Sequence, residues 1–292
     1  MKFTLATAIA VAASAVSAIS PRATTDTEMG WGKALAGDPK ACADLAVIFA
    51  RGTFDPGNIG PWVGAPFRDA LAARTKSVSF QGVDPGAYPA DLAGYVVEGG
   101  SEKGALSMGV VIDAYVKACP KAKIAVSCWS QGCLVARKSF GVMSPASAAK
   151  VIAYVSFGDP YPVWASGKKF PSIPPNAKKL PFCESAPTDP LCGSLLSGWP
   201  TTATGVIDHL KKIWSNVDQA KMNSAQKSAL ASMILELPKQ ASKQLGTLAS
   251  DIKNGHLQRW MLSPQHFWYG LDGSTTKAAE QVVAAFNGSK KK

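Results

Sequence analysis

Three short, continuous apolar runs constrain the fold most strongly: DLAVIFARG (44–52), KIAVSC (123–128) and KVIAYVSFGDP (150–160). Strands that are apolar at consecutive positions are covered on both faces, as in a parallel sheet. An alternating run, KSVSFQGV (76–83), predicts a further strand. Helical spacing between and after these runs (101–119, 131–140 and 274–286) predicts an α/β fold, in which a central parallel sheet lies between two layers of helices.

The stretch CWSQGC (128–133) places a serine directly after a predicted strand and at the start of a helix. Sites in parallel sheets form at the carboxyl ends of strands. A nucleophilic serine at such a turn typically stands in G-x-S-x-G. Here Ser130 has Gly132 after it, but Cys128 replaces the first glycine. We interpret Ser130 as a candidate nucleophile, and a serine in an ordinary turn is the alternative.

The first 18 residues, MKFTLATAIAVAASAVSA, have the layout of a secretory signal peptide. Cleavage after Ala18 would leave a polar, aperiodic N-terminal lead (19–40) and one domain (41–292). No later stretch reaches the roughly 18 apolar residues that a membrane helix needs. We therefore expect a secreted, extracellular protein.

Export affects the interpretation of the cysteines, because an even number in an oxidising compartment indicates disulfides. Fifteen complete pairings of six cysteines exist, and the short loop between Cys183 and Cys192 makes these two the easiest pair to accept. Only three histidines are present, and C-x-x-C and H-x-x-x-H patterns are absent. We therefore expect no metal site and no cofactor. The cysteines are Cys42, Cys119, Cys128, Cys133, Cys183 and Cys192.

The formal net charge is +11 with a pI near 9.4. The lysines are scattered or lie at the C-terminus, and no arginine cluster interleaves with aromatic residues, so we expect no nucleic-acid partner. The charge is compatible with contact to an anionic lipid or cell-wall surface, and we expect a monomer. The sequence NGS at Asn287 is a glycosylation acceptor.

Residues 194–262 interrupt the alternation of strands and helices, because only helical patterns are found there. Val206, Leu210 and Trp214 belong to one apolar stripe. Pro238 should kink or split the long segment from 223 to 252. We interpret 194–262 as a helical insertion beside the sheet.

A serine hydroxyl needs a base to take its proton and a third group to orient that base. Three histidines follow Ser130. His209 lies within the apolar stripe and is more simply a packing or surface residue, and His256 lies near the end of the helical region. His266 lies in SPQHFWYG, just before the last helix, and is the preferred base.

The chain resembles the cutinase family of secreted serine esterases, which includes acetylxylan esterases. The resemblance is carried by ordered pieces: CADLAVIFARGT, QGV with YPADLAGY, WSQG, SFGDP, FCESAPTDPLC and HFWYG. It implies an α/β-hydrolase-type three-layer sandwich. It also implies a Ser130–His266–Asp189 triad, in which Asp189 stands three residues before the second cysteine of a disulfide loop and His266 stands in H-x-x-Y-G.

The resemblance further assigns the oxyanion hole to the backbone N–H groups of Thr53 and Gln131. It makes the Asp159 turn structural and gives Glu184 the wrong offset for the acid. It pairs Cys42 with Cys119 and Cys183 with Cys192. Cys128 and Cys133 have no place in the usual family pattern. They are either a third disulfide, which we favour, or two buried thiols.

We therefore predict a secreted serine esterase acting on cutin-like or other lipidic esters. An acetylxylan esterase and a non-catalytic lipid- or surface-binding protein on the same fold are the alternatives. The insertion is either a lid over the site or a packed accessory layer. Trp129 and Trp268 either form an aromatic wall for an acyl chain or belong to the core.

Overall fold

The computed structural model describes residues 26–185 and 188–290, so the predicted signal peptide lies outside the described residues. Its centre is a five-stranded sheet of order β2-β1-β3-β4-β5, in which every pairing is parallel. The predicted α/β fold is confirmed. The strands are β1 (Leu45–Ala50), β2 (Val78–Gly82), β3 (Lys123–Trp129), β4 (Val151–Phe157) and β5 (Lys178–Phe182).

Helices flank the sheet and follow its strands. The helices are α1 (Gly32–Leu35), α2 (Ala65–Ala72), α3 (Leu92–Val96), α4 (Glu102–Ala118), α5 (Gln131–Ser139), α6 (Pro145–Ala148), α7 (Tyr161–Trp164), α8 (Ala203–Ser215), α9 (Ser224–Lys243), α10 (Leu245–Lys253) and α11 (Ser274–Ser289). Ser101 caps α4, since its side chain accepts a hydrogen bond from the Gly104 N–H.

Alternate residues of β1 enter two separate cores. Leu45, Val47 and Phe49 belong to a core that includes side chains of α2 and α11. Ala46 and Ile48 belong to a second core with side chains of α4 and α5. Because successive side chains of a strand point to opposite faces, this division produces the three layers of the fold.

The N-terminal segment from residue 26 is docked rather than loose. The Trp31 ring is fully buried and stacks on Tyr115 with centroids 4.2 Å apart. The backbone N–H of Trp31 also donates to the Gln81 side chain at 3.2 Å. The aperiodic sequence of the lead gave no sign of this docking, because periodicity does not reveal a single anchoring aromatic residue.

The segment that the sequence analysis interprets as an insertion comprises α8, α9, α10 and a 3-10 turn at Leu257–Trp260. Its apolar stripe, including Leu210 and Trp214, joins the same core as Phe49. The sequence analysis expected Pro238 to kink or split this segment. Pro238 does not split it, because α9 continues through the proline to Lys243. Proline removes one donor, but the helix retains its other contacts, among them a hydrogen bond from Ser242 Oγ to the Pro238 carbonyl at 2.8 Å.

Three disulfides are formed: Cys42–Cys119, Cys128–Cys133 and Cys183–Cys192. They include both pairs implied by the family resemblance and the favoured bond between Cys128 and Cys133. Among the residues that the structure describes, no helix is both long and apolar enough to span a bilayer.

Candidate active site

Ser130 occupies a tight turn between β3 and α5. Its φ is +56° and its ψ is −129°, a conformation that costs a non-glycine residue about 1–3 kcal/mol. The backbone N–H of Ser130 donates to the Phe157 carbonyl at 3.0 Å. A Cβ on Gly132 would lie 2.0 Å from the Ala50 carbonyl oxygen, so glycine is required there. The strained turn forms although Cys128 replaces the usual first glycine.

Asp189 and His266 form a buried pair. Asp189 Oδ2 lies 2.7 Å from His266 Nδ1, and both residues are 0% exposed. Asp189 Oδ1 accepts the backbone N–H of Leu191 at 3.0 Å, and Oδ2 also accepts the hydroxyl of Tyr269 at 2.6 Å. Burial alone would raise the pKa of Asp189. The charge and hydrogen bond of His266, with the bonds from Tyr269 and Leu191, outweigh it and lower the pKa.

His266 lies in a 3-10 helix, Pro264–Gly270, and is anchored by the residue before the candidate nucleophile. The indole N–H of Trp129 donates to the His266 carbonyl at 2.9 Å, and the two rings stack with centroids 5.7 Å apart. Within the described residues His266 Nε2 is buried without a hydrogen-bond partner. Ser130 therefore lies next to the residue that holds His266, but no hydrogen bond joins the two side chains.

Thr53 and Gln131, the predicted oxyanion residues, are in contact. Thr53 Oγ1 donates to Gln131 Oε1 at 3.4 Å, and Tyr88 donates to the same oxygen at 3.1 Å. Gln131 Nε2 donates to the Asp91 carbonyl at 3.1 Å, which fixes the amide. Gln131 begins α5, so its backbone N–H has no partner within the helix.

The competing acids lie in other contacts. Asp159 Oδ2 pairs with Arg137 at 2.7 Å and accepts the Tyr154 hydroxyl at 3.1 Å, so it braces its turn. Burial and a hydrogen bond with Asp272 raise the pKa of Glu184 to about 7. The Glu184 backbone N–H donates to the Tyr269 hydroxyl at 3.2 Å, and the Glu184 carbonyl accepts the Asp189 N–H at 3.0 Å.

The other two histidines have partners of their own. His209 contacts the ring of Trp199, with centroids 4.7 Å apart. His256 Nδ1 lies 3.6 Å from Asp251 Oδ1. No group of three or more potential metal ligands is present in the described ranges.

Two aromatic residues make contacts with the Asp189–His266 pair that the sequence did not predict. Trp129 is 0% exposed and holds the His266 segment, so it belongs to the core alternative rather than to an open wall. Tyr269 contacts Asp189 directly. The H-x-x-Y-G motif contains Tyr269 but gives no indication of its partner.

The insertion contacts several segments that surround the site. Trp214 of α8 packs on Phe267, with centroids 4.6 Å apart. On α9, Gln240 Oε1 accepts the Leu92 N–H at 2.9 Å, and Gln226 Nε2 donates to the Pro61 carbonyl at 3.2 Å. Ser130 itself is 3% exposed.

A parallel sheet between helical layers, with a serine on the turn after β3 and an Asp–His pair beyond β5, defines the α/β-hydrolase class. Residues 41–220, more than half of the chain, match the family model described as Cutinase. The chain belongs to the cutinase family. The match includes Ser130 and Asp189 and ends before His266.

Curated relatives named cutinase share more than a third of their residues with this chain over the aligned parts. The Botryotinia fuckeliana protein is 38% identical over 125 residues, 42% of this chain and 60% of its own length. The cutinase of Pyrenopeziza brassicae is 37% identical over 145 residues, which are 46% of this chain and 70% of the relative's length. The cutinase of Trichoderma harzianum is 40% identical over 123 residues, which are 41% of this chain and 48% of the relative's length. The chain thus spans between about half and 70% of these relatives' lengths.

Solved structures similar to this chain include two esterases. A Trichoderma reesei cutinase in complex with a phosphonate inhibitor is 24% identical, with a TM-score of 0.45, covering 77% of this chain and 81% of that one. An acetyl xylan esterase is 17% identical, with a TM-score of 0.42, covering 72% and 99%.

Proposed function

We propose that the protein is a secreted serine esterase that hydrolyses carboxylic esters through Ser130, His266 and Asp189. The observation that carries the proposal is the buried 2.7 Å contact between Asp189 Oδ2 and His266 Nδ1. It is supported by the strained turn at Ser130 and by membership of the cutinase family. The paired Nδ1 leaves Nε2 as the basic atom of the imidazole.

In the proposed reaction, His266 Nε2 takes the proton of Ser130 Oγ while Oγ bonds to the ester carbonyl carbon. Asp189 stabilises the imidazolium, which then protonates the departing alcohol and leaves an acyl group on Ser130. Water attacks the acyl-enzyme with His266 again as the base, and the acid is released. The backbone N–H groups of Thr53 and Gln131 stabilise the oxyanion, each donor contributing about 3 kcal/mol.

Cutin-like or other lipidic esters are the proposed substrates, because the curated relatives are named cutinases. Acetylated xylan is the second candidate, because the family that the sequence motifs resemble includes acetylxylan esterases. Acyl length discriminates between them. A deacetylase would hydrolyse two-carbon acyl esters and lose activity on chains of eight carbons, whereas a cutinase-like enzyme would accept both.

We further propose that α8–α10 form a lid. Ser130 is 3% exposed, and α8 and α9 contact segments next to the site, among them Phe267 and Leu92. Movement of the insertion would then give a polymeric or lipidic ester access to Ser130. An apolar surface would replace the contacts that the inner face of the lid loses on opening. The packed accessory layer remains the alternative, and the Gln240 variant described in the Discussion tests it.

Secretion is proposed from the N-terminal sequence and is supported by the disulfides, which are typical of oxidising compartments. Contact with an anionic lipid or cell-wall surface is proposed from the net charge of +11. We propose a monomer without a cofactor, which size-exclusion chromatography with light scattering would test.

The direct test of catalysis is the intact mass of the protein before and after treatment with a serine-directed organophosphonate, with Ser130→Ala as the control. One adduct on the wild type and none on the variant would support an activated Ser130. If the folded protein remains unlabelled, a repeat with detergent tests whether the lid prevents access. No label under either condition would favour the non-catalytic lipid- or surface-binding protein.

A further inference from the structure

We propose that Tyr269 is a positioning residue that controls how strongly Asp189 attracts protonated His266. The inference rests on the proposed function, because it concerns the pH range in which His266 can act as a base. The family resemblance gave Tyr269 a place in a motif, whereas its contacts indicate a specific role.

The hydroxyl of Tyr269 is oriented by two neighbours. It accepts the Glu184 backbone N–H at 3.2 Å. A tyrosine hydroxyl has one hydrogen. Asp189 Oδ2 at 2.6 Å is a closer and stronger acceptor for it than the disulfide sulfur of Cys192 at 3.5 Å. Tyr269 is 0% exposed, so water does not compete for this hydrogen. Tyr269 is therefore a fixed donor to Asp189.

The oxygen that accepts from Tyr269 is the one that faces His266. Asp189 Oδ2 lies 2.6 Å from the Tyr269 hydroxyl and 2.7 Å from His266 Nδ1. A hydrogen bond to a carboxylate stabilises its charge, which leaves less of that charge to attract a second partner. Burial, together with the charge of Asp189, raises the pKa of Tyr269 well above its ordinary value. Tyr269 therefore stays a neutral donor throughout the working pH range.

The consequence for catalysis has a definite sign. A carboxylate that is already hydrogen-bonded by Tyr269 stabilises the imidazolium less, so His266 remains neutral, and able to accept the Ser130 proton, to a lower pH. Removal of the hydroxyl strengthens the attraction between Asp189 and protonated His266. His266 then becomes protonated at a higher pH, and activity is lost earlier on acidification.

The experiment compares Tyr269→Phe with the wild type in the full chain. In Tyr269→Phe the acidic limb of the kcat/KM profile should move up by about one pH unit. Tyr115→Phe is the matched control, because Tyr115 is also buried and its hydroxyl accepts the Ala43 N–H at 3.2 Å, but it lies in the other core. A Tyr269→Phe profile that is uniformly lowered, with its acidic limb unmoved, would overturn the proposal.

A second substitution keeps the test valid if Tyr269→Phe folds poorly. Site-specific 3-fluorotyrosine at position 269 retains the hydroxyl and makes it a stronger donor, so the acidic limb should move down. An upward shift of the acidic limb in Tyr269→Phe, which has no donor, and a downward shift with 3-fluorotyrosine, which is a stronger donor, support the role of Tyr269. Shifts of the same sign, or no shift with fluorotyrosine, contradict it.

A measurement without turnover separates this inference from the proposed function. The chain has only three histidines, so NMR of labelled imidazole can follow the titration of His266. In a Ser130→Ala background, Tyr269→Phe should raise the midpoint pH of His266 by about one unit relative to Ser130→Ala alone. If this shift occurs in a protein that neither labels nor hydrolyses esters, the esterase proposal fails and the inference about Tyr269 stands. If hydrolysis is present and the midpoint does not move, the inference alone fails.

Discussion

A Cβ on Gly158 would lie 2.6 Å from Cε1 of His266 and 2.9 Å from Asp189 Oδ2, closer than side-chain packing allows. Gly158 directly follows β4 and has a φ of +53°, a region that residues with side chains seldom adopt. The Asp189–His266 pair therefore lies directly against bare backbone.

Gly158→Ala should displace His266 or Asp189 and lower kcat/KM about 100-fold, since a displacement of about 1 Å can have that effect. Gly255→Ala is the control for backbone strain, because Gly255 has a φ of +76° but a Cβ there would meet no atom of the described residues within 4 Å. Ester hydrolysis and thermal unfolding are measured for both variants. Equal activities in the two would show that the close approach at Gly158 is unimportant.

Trp129→Phe should lower kcat about fivefold with little change in KM, because a hydrogen bond is worth about 1 kcal/mol. The variant removes the N–H that holds the His266 carbonyl and keeps an aromatic ring. Steady-state kinetics with a soluble ester tests this. Trp31→Phe is the matched control, since it removes a buried indole whose N–H donates to the Ser79 carbonyl and which belongs to the other core. A wild-type kcat in Trp129→Phe would mean that the ring alone holds the segment.

Gln240→Ala should open the lid, because it removes the acceptor of the Leu92 N–H. Loss of about 1 kcal/mol from the closed state raises the open population about fivefold, provided that the closed state dominates. Hydrolysis of a monomeric short-chain ester should rise by this factor, and the stimulation by detergent micelles should fall. The control is Lys243→Ala, an exposed residue at the end of the same helix. If neither the variant nor the micelles change the rate, the insertion is a packed layer.

Glu184→Gln should stabilise the protein at alkaline pH. Burial and Asp272 raise the pKa of Glu184 to about 7 in the folded chain, against about 4.3 when unfolded. Between these values the unfolded chain releases a proton that the folded chain retains, so the free energy of unfolding of the wild type falls as pH rises.

Glutamine does not titrate, so Glu184→Gln removes this fall in the free energy of unfolding with rising pH. We expect the Tm of Glu184→Gln to exceed that of the wild type by about 2 °C at pH 8 and to match it at pH 4. Scanning calorimetry at both values tests the prediction, with Glu280→Gln, which alters an exposed pair with Arg74, as the control. A Tm difference that is the same at both pH values would contradict it.

Three of the predicted strands, β1, β3 and β4, have uninterrupted apolar runs, because a central parallel strand needs apolar side chains on both faces. β2, at one edge of the sheet, was predicted from alternation instead, and β5, at the other edge, was missed because its sequence shows neither pattern. It is an edge strand whose sequence, KKLPF, contributes one fully buried side chain, Leu180. Its position depends on pairing with β4, which local composition does not encode.

Motifs brought Ser130, His266 and Asp189 forward as candidates, and the structure places His266 and Asp189 in contact. The supporting contacts were not predictable. Gly158 was assigned to a structural turn, and the indole of Trp129 was considered as a wall for an acyl chain. Gly158, Trp129 and His266 belong to three separate segments that meet only in the folded protein. The spacing of residues within one segment cannot predict such contacts.

The pair at the site joins distant parts of the chain. Asp189 and His266 are 77 residues apart, and Trp129 and His266 are 137 apart, with the insertion between. Contacts of long sequence separation form slowly, because the intervening chain must first lose conformational freedom. During synthesis the strands leave the ribosome long before the His266 segment does. The face of the sheet that packs on α11 and the Asp189–His266 pair both depend on the last part of the chain to be made, so this core and the candidate site are completed together, at the end of folding.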